Sequence, residues 1–177
     1  MRTKSEKNPN LRIFFFDEAR FGLQTSLTKV WTLAGKPLQI KVKQGYLNFY
    51  IYGAVEPKTG EIFSLFLPWV NTDMMNMYLE NMSLTYENEE IVIIMDQAGW
   101  HKSKDLVVPY NIEILFLPPY SPELNPVERL WKYLKTNYIH NRVFDSLMQM
   151  MTEMVDAFAN LNNNTVASLC HCNYLDL

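Results

Sequence analysis

The sequence predicts an α/β domain in which a mixed, five-stranded sheet is covered by helices on both faces. Three observations predict it. Two short runs, Ile13 to Phe16 and Ile91 to Met95, are apolar at every position, the pattern of strands buried on both sides. Two further β-rich runs are joined by a link short enough for a hairpin. Segments of helical period alternate with the later strands, so parallel and antiparallel neighbours are both expected.

Taken in order, the first strand is Ile13 to Phe16 and stops at Asp17. Residues 18–46 read as irregular and basic. The runs 47–57 and 61–70 form the hairpin around "EPKTGE". In "NTDMMNMYLENMSLTY" the period changes: Met74, Met75, Met77, Tyr78, Leu79, Met82 and Leu84 recur at helical spacing, with Asn71 or Thr72 as N-cap. The methionine stripe is core filling. Ile91 to Met95 is the fourth strand and stops at Asp96, and residues 111–119 hold the fifth. Two helices close the chain, from Pro126 to about Ile139 and from about Phe144 to Leu161.

Length and composition narrow the functional classes. A chain of 177 residues, 48% hydrophobic and 14% aromatic, suits one domain with a real core. It contains no apolar run of eighteen residues, so no membrane-spanning helix is expected. "MRTKSEKNPN" lacks the apolar middle of a secretory signal. Cys170 and Cys172 are too few and too close for a disulfide framework, which suits a reducing cytoplasm, and "CHC" reads as incidental rather than as a metal site. Residues 1–45 hold nine Lys/Arg against three Asp/Glu, a net +6, and the remainder holds seven against sixteen, a net −9. A basic end on an acidic body is compatible with an anionic partner or with a solvated tail.

The chemistry is expected from carboxylates. Asp17 and Asp96 each follow an apolar strand, and ligands of open α/β sheets gather beyond the carboxyl ends of strands. Parallel neighbours would bring these ends to about 4.8 Å, close to the ~3.5–4 Å spacing of catalytic metal pairs. For either Asp alone the turn or cap reading is the better one; two such ends, with a third acid available, shift the balance toward chemistry. Glu128 or Glu123 is the candidate third acid. In "NPVE", Asn125 can cap a helix, Pro126 suits its first turn and Glu128 falls where a capping box needs it. The rigid "PPYSP" lead-in goes beyond what a cap requires and fixes where the first turn points. Three clustered carboxylates repel unless a cation lies among them, and an all-oxygen donor set suits Mg²⁺ or Mn²⁺. Two such ions point to phosphoryl transfer.

"DEARFGL", "GAVEPKTGE", "VNTDMMNMYL", "MDQAGWHKS" and "LPPYSPELNPVERLWKYLK" together resemble the DDE transposases of the mariner superfamily, in its bacterial insertion-sequence branch. The resemblance runs from about Leu11 to Lys135. It implies a ribonuclease H-like fold, with residues 11–177 as the catalytic domain, 1–10 as a basic tail, 18–46 as a basic insertion loop and 143–177 as a C-terminal helix and tail. It also implies Asp17, Asp96 and Glu128 as catalytic, metal-binding acids for two Mg²⁺ or Mn²⁺ ions, with Glu123 outside the set. The implied reaction is DNA cleavage and strand transfer, the implied partners are transposon-end and target DNA and a second copy of the chain, and the implied setting is the cytoplasm and nucleoid of a prokaryote. Arg20, Trp31, Lys36, Lys41, Lys43, His101 and Lys102 are the candidate DNA contacts. Two departures stand out: Gln97 occupies the position where the family usually has Asn, and no helix-turn-helix part precedes the first strand. A same-fold nuclease, or an inactive remnant that binds DNA or a transposase, is the alternative.

Overall fold

The computed structural model describes residues 11–23 and 47–174. Its centre is a five-stranded sheet in the order β3-β2-β1-β4-β5, built from β1 (Leu11–Gly22), β2 (Asn48–Val55), β3 (Ile62–Leu67), β4 (Glu90–Met95) and β5 (Ile112–Phe116). The three strands on the hairpin side are antiparallel, while β1 pairs in parallel with β4 and β4 with β5. The sheet is mixed, as the sequence predicts, and the two all-apolar runs are its central strands.

Alternation along the strands sends side chains to two separate cores. Phe14 and Phe16 of β1 and Ile91, Ile93 and Met95 of β4 meet helix α1 (Thr72–Thr85) through Met75, Tyr78, Leu79 and Met82. Ile13, Phe15, Ala19 and Phe21 of β1 and Val92 and Ile94 of β4 meet helices α2 (Val127–Leu134), α3 (Leu147–Ala159) and α4 (Asn163–Leu169). Asn71 caps α1, its Oδ1 accepting from Met74 N at 2.9 Å. Of the methionine stripe, Met75 and Met82 are core residues, whereas Met77 is exposed.

Three elements depart from expectation. First, β1 does not stop at Asp17. It continues to Gly22, paired with β2 from Glu18↔Tyr52 to Gly22↔Asn48. What ends near Asp17 is the parallel ladder with β4, whose last register pair is Phe15↔Ile94. Residues 18–23, expected to begin an irregular insertion, are therefore mostly strand; the polar residues Glu18 and Arg20 hid a β period whose alternate positions, Ala19 and Phe21, are buried. Second, the helix that reaches Ile139 as expected ends in a π-helical turn, Lys135–Ile139, that the spacing does not show. Third, the final helical stretch is two helices, α3 and α4. The Asn-rich link between them reads as loop, yet Asn162 caps α4 by accepting from Asn164 N at 2.8 Å. The candidate contacts Trp31, Lys36, Lys41 and Lys43 lie outside the described residues.

Trp131 of helix α2 packs directly on the sheet. A β-carbon on Gly53 would come within 2.6 Å of Trp131 Cη2, so only glycine leaves room for the indole. Gly53 is the register partner of Asp17, and Trp131 Nε1 donates to Asp17 Oδ2 at 2.9 Å. Gly53→Ala is expected to cost ~1–3 kcal/mol in urea unfolding, as an overpacked core does. Because both changes act on one contact, Gly53→Ala combined with Trp131→Phe should fall short of the summed single penalties by at least ~0.5 kcal/mol. Strict additivity would show that the indole does not rest on Gly53.

Candidate active site

The site lies where the central strands part. Asp17 and Asp96 each stand two residues beyond the last register pair of β1 and β4, so they are level with one another. Beyond Met95 the chain of β4 stays close to the β5 side, with Leu117 N donating to Met95 O at 2.8 Å, while β1 stays with β2. The divergence opens a cleft of about 470 Å³ whose walls include Asp17, Asp96, Glu128, Gln97, Lys102 and Tyr120. Glu123 sits exposed on the turn Pro122–Leu124 and takes no part in the lining.

Glu128 reaches this cleft because the start of α2 is fastened to β1. Asn125 is buried; its Nδ2 donates to Phe16 O at 2.8 Å, one residue before Asp17, and its Oδ1 accepts from Val127 N at 3.2 Å. The backbone N–H of Asn125 donates to Pro122 O at 2.9 Å. The donor that a capping-box Glu would serve is thus already engaged, and capping does not account for Glu128. Glu128 and Trp131 are three residues apart, on one side of α2. The indole that docks the helix therefore also aims the carboxylate.

Electrostatics separate the acids. Burial, and then the negative charges of Glu128 and Glu18, push the Asp17 carboxyl from 3.8 up to about 7, against the opposing hydrogen bonds from the Glu18 backbone and from Trp131. The Asp96 side chain is 62% exposed, and its Oδ1 accepts from Ala98 N at 3.0 Å. Among the described residues, no three His, Cys, Asp or Glu side chains stand close enough, as they lie, to hold one ion. The donor chemistry nonetheless fits a hard divalent cation: three carboxylates share one cleft, and one of them is driven toward its protonated form by burial and by the charge of another.

The other predicted residues divide. Lys102 is exposed on the cleft wall, its Nζ donating to Gln97 Oε1 and lying 5.5 Å from the centroid of the Phe116 ring. Gln97 Nε2 donates to Leu117 O at 2.8 Å, so the longer amide ties the end of β4 to the end of β5 and holds Lys102. Arg20 is exposed on β1. His101, a candidate contact for phosphate or for a neighbouring carboxylate, meets carboxylates: it is 1% exposed, with Nε2 2.9 Å from Glu18 Oε1 and Nδ1 2.9 Å from Asp96 Oδ1. Burial opposes a charge on this ring, but Glu18 and Asp96 outweigh it and raise the pKa above the ordinary imidazole value. The Cys-His-Cys tail has a mechanical part. Cys170 Sγ contacts Pro126 O at 3.5 Å, and Arg129 of α2 donates to Leu169 O and His171 O at 2.6 and 2.7 Å, which stitches the C-terminus to the helix carrying Glu128.

The family model for the DDE superfamily endonuclease matches residues 12–151. The chain belongs to the DDE superfamily endonucleases. It is 41% identical over 113 residues to the uncharacterized protein y4pE/y4sA of Sinorhizobium fredii, covering 63% of this chain and 84% of that one. It is 24% identical over 147 residues to an insertion element IS630 protein of 39 kDa from Shigella sonnei, covering 80% of this chain and 43% of that one. With the Tc3 transposase of Caenorhabditis elegans it shares 26% identity over 170 residues, covering 89% and 52%. Among solved structures, Mos1 in its strand transfer complex superposes with a TM-score of 0.72 at 18% identity, covering 96% of this chain and 53% of that one. This DDE endonuclease domain is thus of the IS630 and mariner transposase group and has the ribonuclease H-like fold. It spans about half the length of the transposases it matches. Among its described residues, no helix is long and apolar enough to cross a membrane.

Sequence reasoning passed over Glu18, Trp100, Trp131 and Tyr120, and read Asn125 only as a cap. Glu18 and Trp100 flank residues that were chosen, but their partnership needs the fold: Trp100 Nε1 donates to Glu18 Oε1 at 3.0 Å across 82 residues. Tyr120 carried a usable signal, an aromatic inside a proline-rich lead-in. It is fully exposed on the cleft wall with a left-handed φ of 57°, a conformation that costs energy away from glycine.

The raised pKa of Asp17 fixes the sign of a pH effect. Between about pH 4 and 7 the folded chain keeps a proton on Asp17 that the unfolded chain has released, so stability due to this residue falls as pH rises across that window. Asp17→Asn, neutral at every pH, should gain stability relative to the parent from pH 4.5 to 7.5 in urea unfolding with EDTA present. A difference that does not change with pH would mean that Asp17 titrates normally.

Proposed function

We propose that the chain is the catalytic domain of a transposase that cleaves DNA strands at insertion-sequence ends and joins them to a target, with Asp17, Asp96 and Glu128 as the metal-binding acids. One observation supports this above the others: the register of β1 and β4 sets Asp17 and Asp96 level at the mouth of one cleft, and α2 brings Glu128 to its wall. The Mos1 structures include paired-end complexes with Mn and with Mg, which favours the same ions here. Such complexes also favour DNA and a second copy of this chain as partners.

In this reading the three carboxylates would hold two Mg²⁺ or Mn²⁺ ions, which supply an activated nucleophile and stabilise the leaving oxygen of an in-line displacement at phosphorus. The chain's own groups do the remainder. Asp17, whose carboxyl is pushed up by burial and by Glu128, would hold the cation in its deprotonated form. Lys102, held by Gln97 at the cleft wall, is placed to meet a phosphate oxygen of the strand. Trp131 orients Asp17 through its indole N–H, and Asn125 fixes the distance from that strand to the helix bearing Glu128.

With pre-cut element ends and Mn²⁺, the chain is expected to nick and join DNA. Asp96→Asn and Glu128→Gln should each lower the rate roughly 10²–10³-fold, since a metal contributes several kcal/mol and each ~1.4 kcal/mol is tenfold. Parent-like cleavage by Glu128→Gln would remove Glu128 from the site. Cleavage without any joined product would identify a nuclease instead of a transposase.

A further inference from the structure

The Asp96 side chain is exposed at the cleft, yet its carboxylate is not left to rotate. Its Oδ1 accepts from Ala98 N at 3.0 Å and lies 2.9 Å from His101 Nδ1. The histidine is itself immobilised. It is almost wholly buried, edge-on to Phe16 at 5.7 Å and 71° and to Trp100 at 5.6 Å and 77°. Its second nitrogen lies 2.9 Å from Glu18 Oε1, and the same oxygen accepts from Trp100 Nε1 at 3.0 Å. The Glu18 side chain is only 8% exposed.

We propose that Glu18, acting through His101, is a positioning residue that holds the Asp96 carboxylate in the orientation needed to bind a divalent cation. The inference rests on Asp96 being a metal ligand. Asp17 and Glu18 are successive residues of β1, so they project to opposite faces of the sheet. Asp17 turns toward Trp131, and Glu18 turns toward the α1 side, where Phe16 packs. From there it cannot serve the cleft directly. His101 spans the gap, so β1 carries one acid of the cleft and, on its reverse face, the brace for another. A buried carboxylate with two donors on one oxygen is costly to maintain merely as core packing, where an apolar side chain would do. Outer partners that orient a ligating group commonly change metal affinity ~10–100-fold when removed.

The test is Mn²⁺ affinity, read from the paramagnetic resonance of free Mn²⁺ in the absence of DNA, alongside melting temperatures in EDTA. Glu18→Ala is expected to weaken Mn²⁺ binding ~10–100-fold. Glu18→Gln should stay within about threefold of the parent, because its amide oxygen can accept the same two hydrogen bonds. A Glu18→Ala protein that melts lower but binds Mn²⁺ like the parent would overturn the proposal and leave Glu18 a packing residue. So would Glu18→Gln binding as weakly as Glu18→Ala. Should Glu18→Ala fail to fold, His101→Asn decides, since its amide nitrogen can reach Asp96 but not Glu18: weakened Mn²⁺ binding supports the brace, and parent affinity overturns it. Asp96→Asn separates the two levels. If it binds Mn²⁺ as tightly as the parent, the metal reading itself fails. If it loses Mn²⁺ while Glu18→Ala does not, only the brace fails.

Discussion

The contact of Trp131 with Gly53 and Asp17 organises the rest of the molecule. It is the point at which the helical layer meets the sheet beside the cleft, and it sets three things together. The indole needs a strand position without a side chain, which Gly53 supplies on β2. Its N–H orients Asp17 on β1. One turn earlier on the same helix stands Glu128. A small shift of α2 would therefore move a carboxylate, release a hydrogen bond and open the core in one step. The second fastening, Asn125 to the Phe16 carbonyl, leaves the helix little freedom to make that shift. The C-terminal segment adds a third through Arg129, which reaches the carbonyls of Leu169 and His171.

The cleft works against the stability of the fold that makes it. A parallel pair of fully apolar strands can be buried on both faces, but its end must leave unpaired backbone and bring successive strand termini together. Here that end carries acids. The cost is visible at Asp17, whose carboxyl is driven toward the neutral form by burial and by Glu128 and Glu18. Such concentration of like charge is common where a cation or a phosphate is handled, because the charge that destabilises the free protein is what binds the cation. The two large cores on either side of the sheet, both built of aliphatic and aromatic side chains, supply the surplus that tolerates it.

Much of the fold was legible because it is written in local periods. Two runs with no polar residue could only be central strands, the Pro-Lys-Thr-Gly link could only be a hairpin, and the Met-rich stretch turned with helical spacing. The extent of β1 was not legible. Glu18 and Arg20 break the apolar run, and the alternation that continues it through Ala19 and Phe21 is too short to stand out from loop. Nor was α4, whose seven residues begin in asparagines that serve as cap. For His101 the sequence left phosphate and a neighbouring carboxylate both open, because a histidine after a strand gives no sign of its depth; only packing against Phe16 and Trp100 buries it beside Asp96 and Glu18.

By itself the sequence determined the class of fold, the apolar run that each Asp follows and the proline-rich entry to the helix of Glu128, since all of these depend on neighbours a few residues apart. Its five quoted segments were also sufficient to single out the family. The tertiary structure alone decided what lies across from what. That Asp17 and Asp96 are level follows from the register of two strands about eighty residues apart. That Glu128 is not occupied as a cap follows from the Pro122 carbonyl taking the Asn125 N–H. That Glu18 reaches Asp96 follows from a buried histidine between them. Local patterns encode periodicity and conformation, whereas register, docking and the partners of a buried polar group are set only when distant segments meet and every donor and acceptor must be satisfied at once.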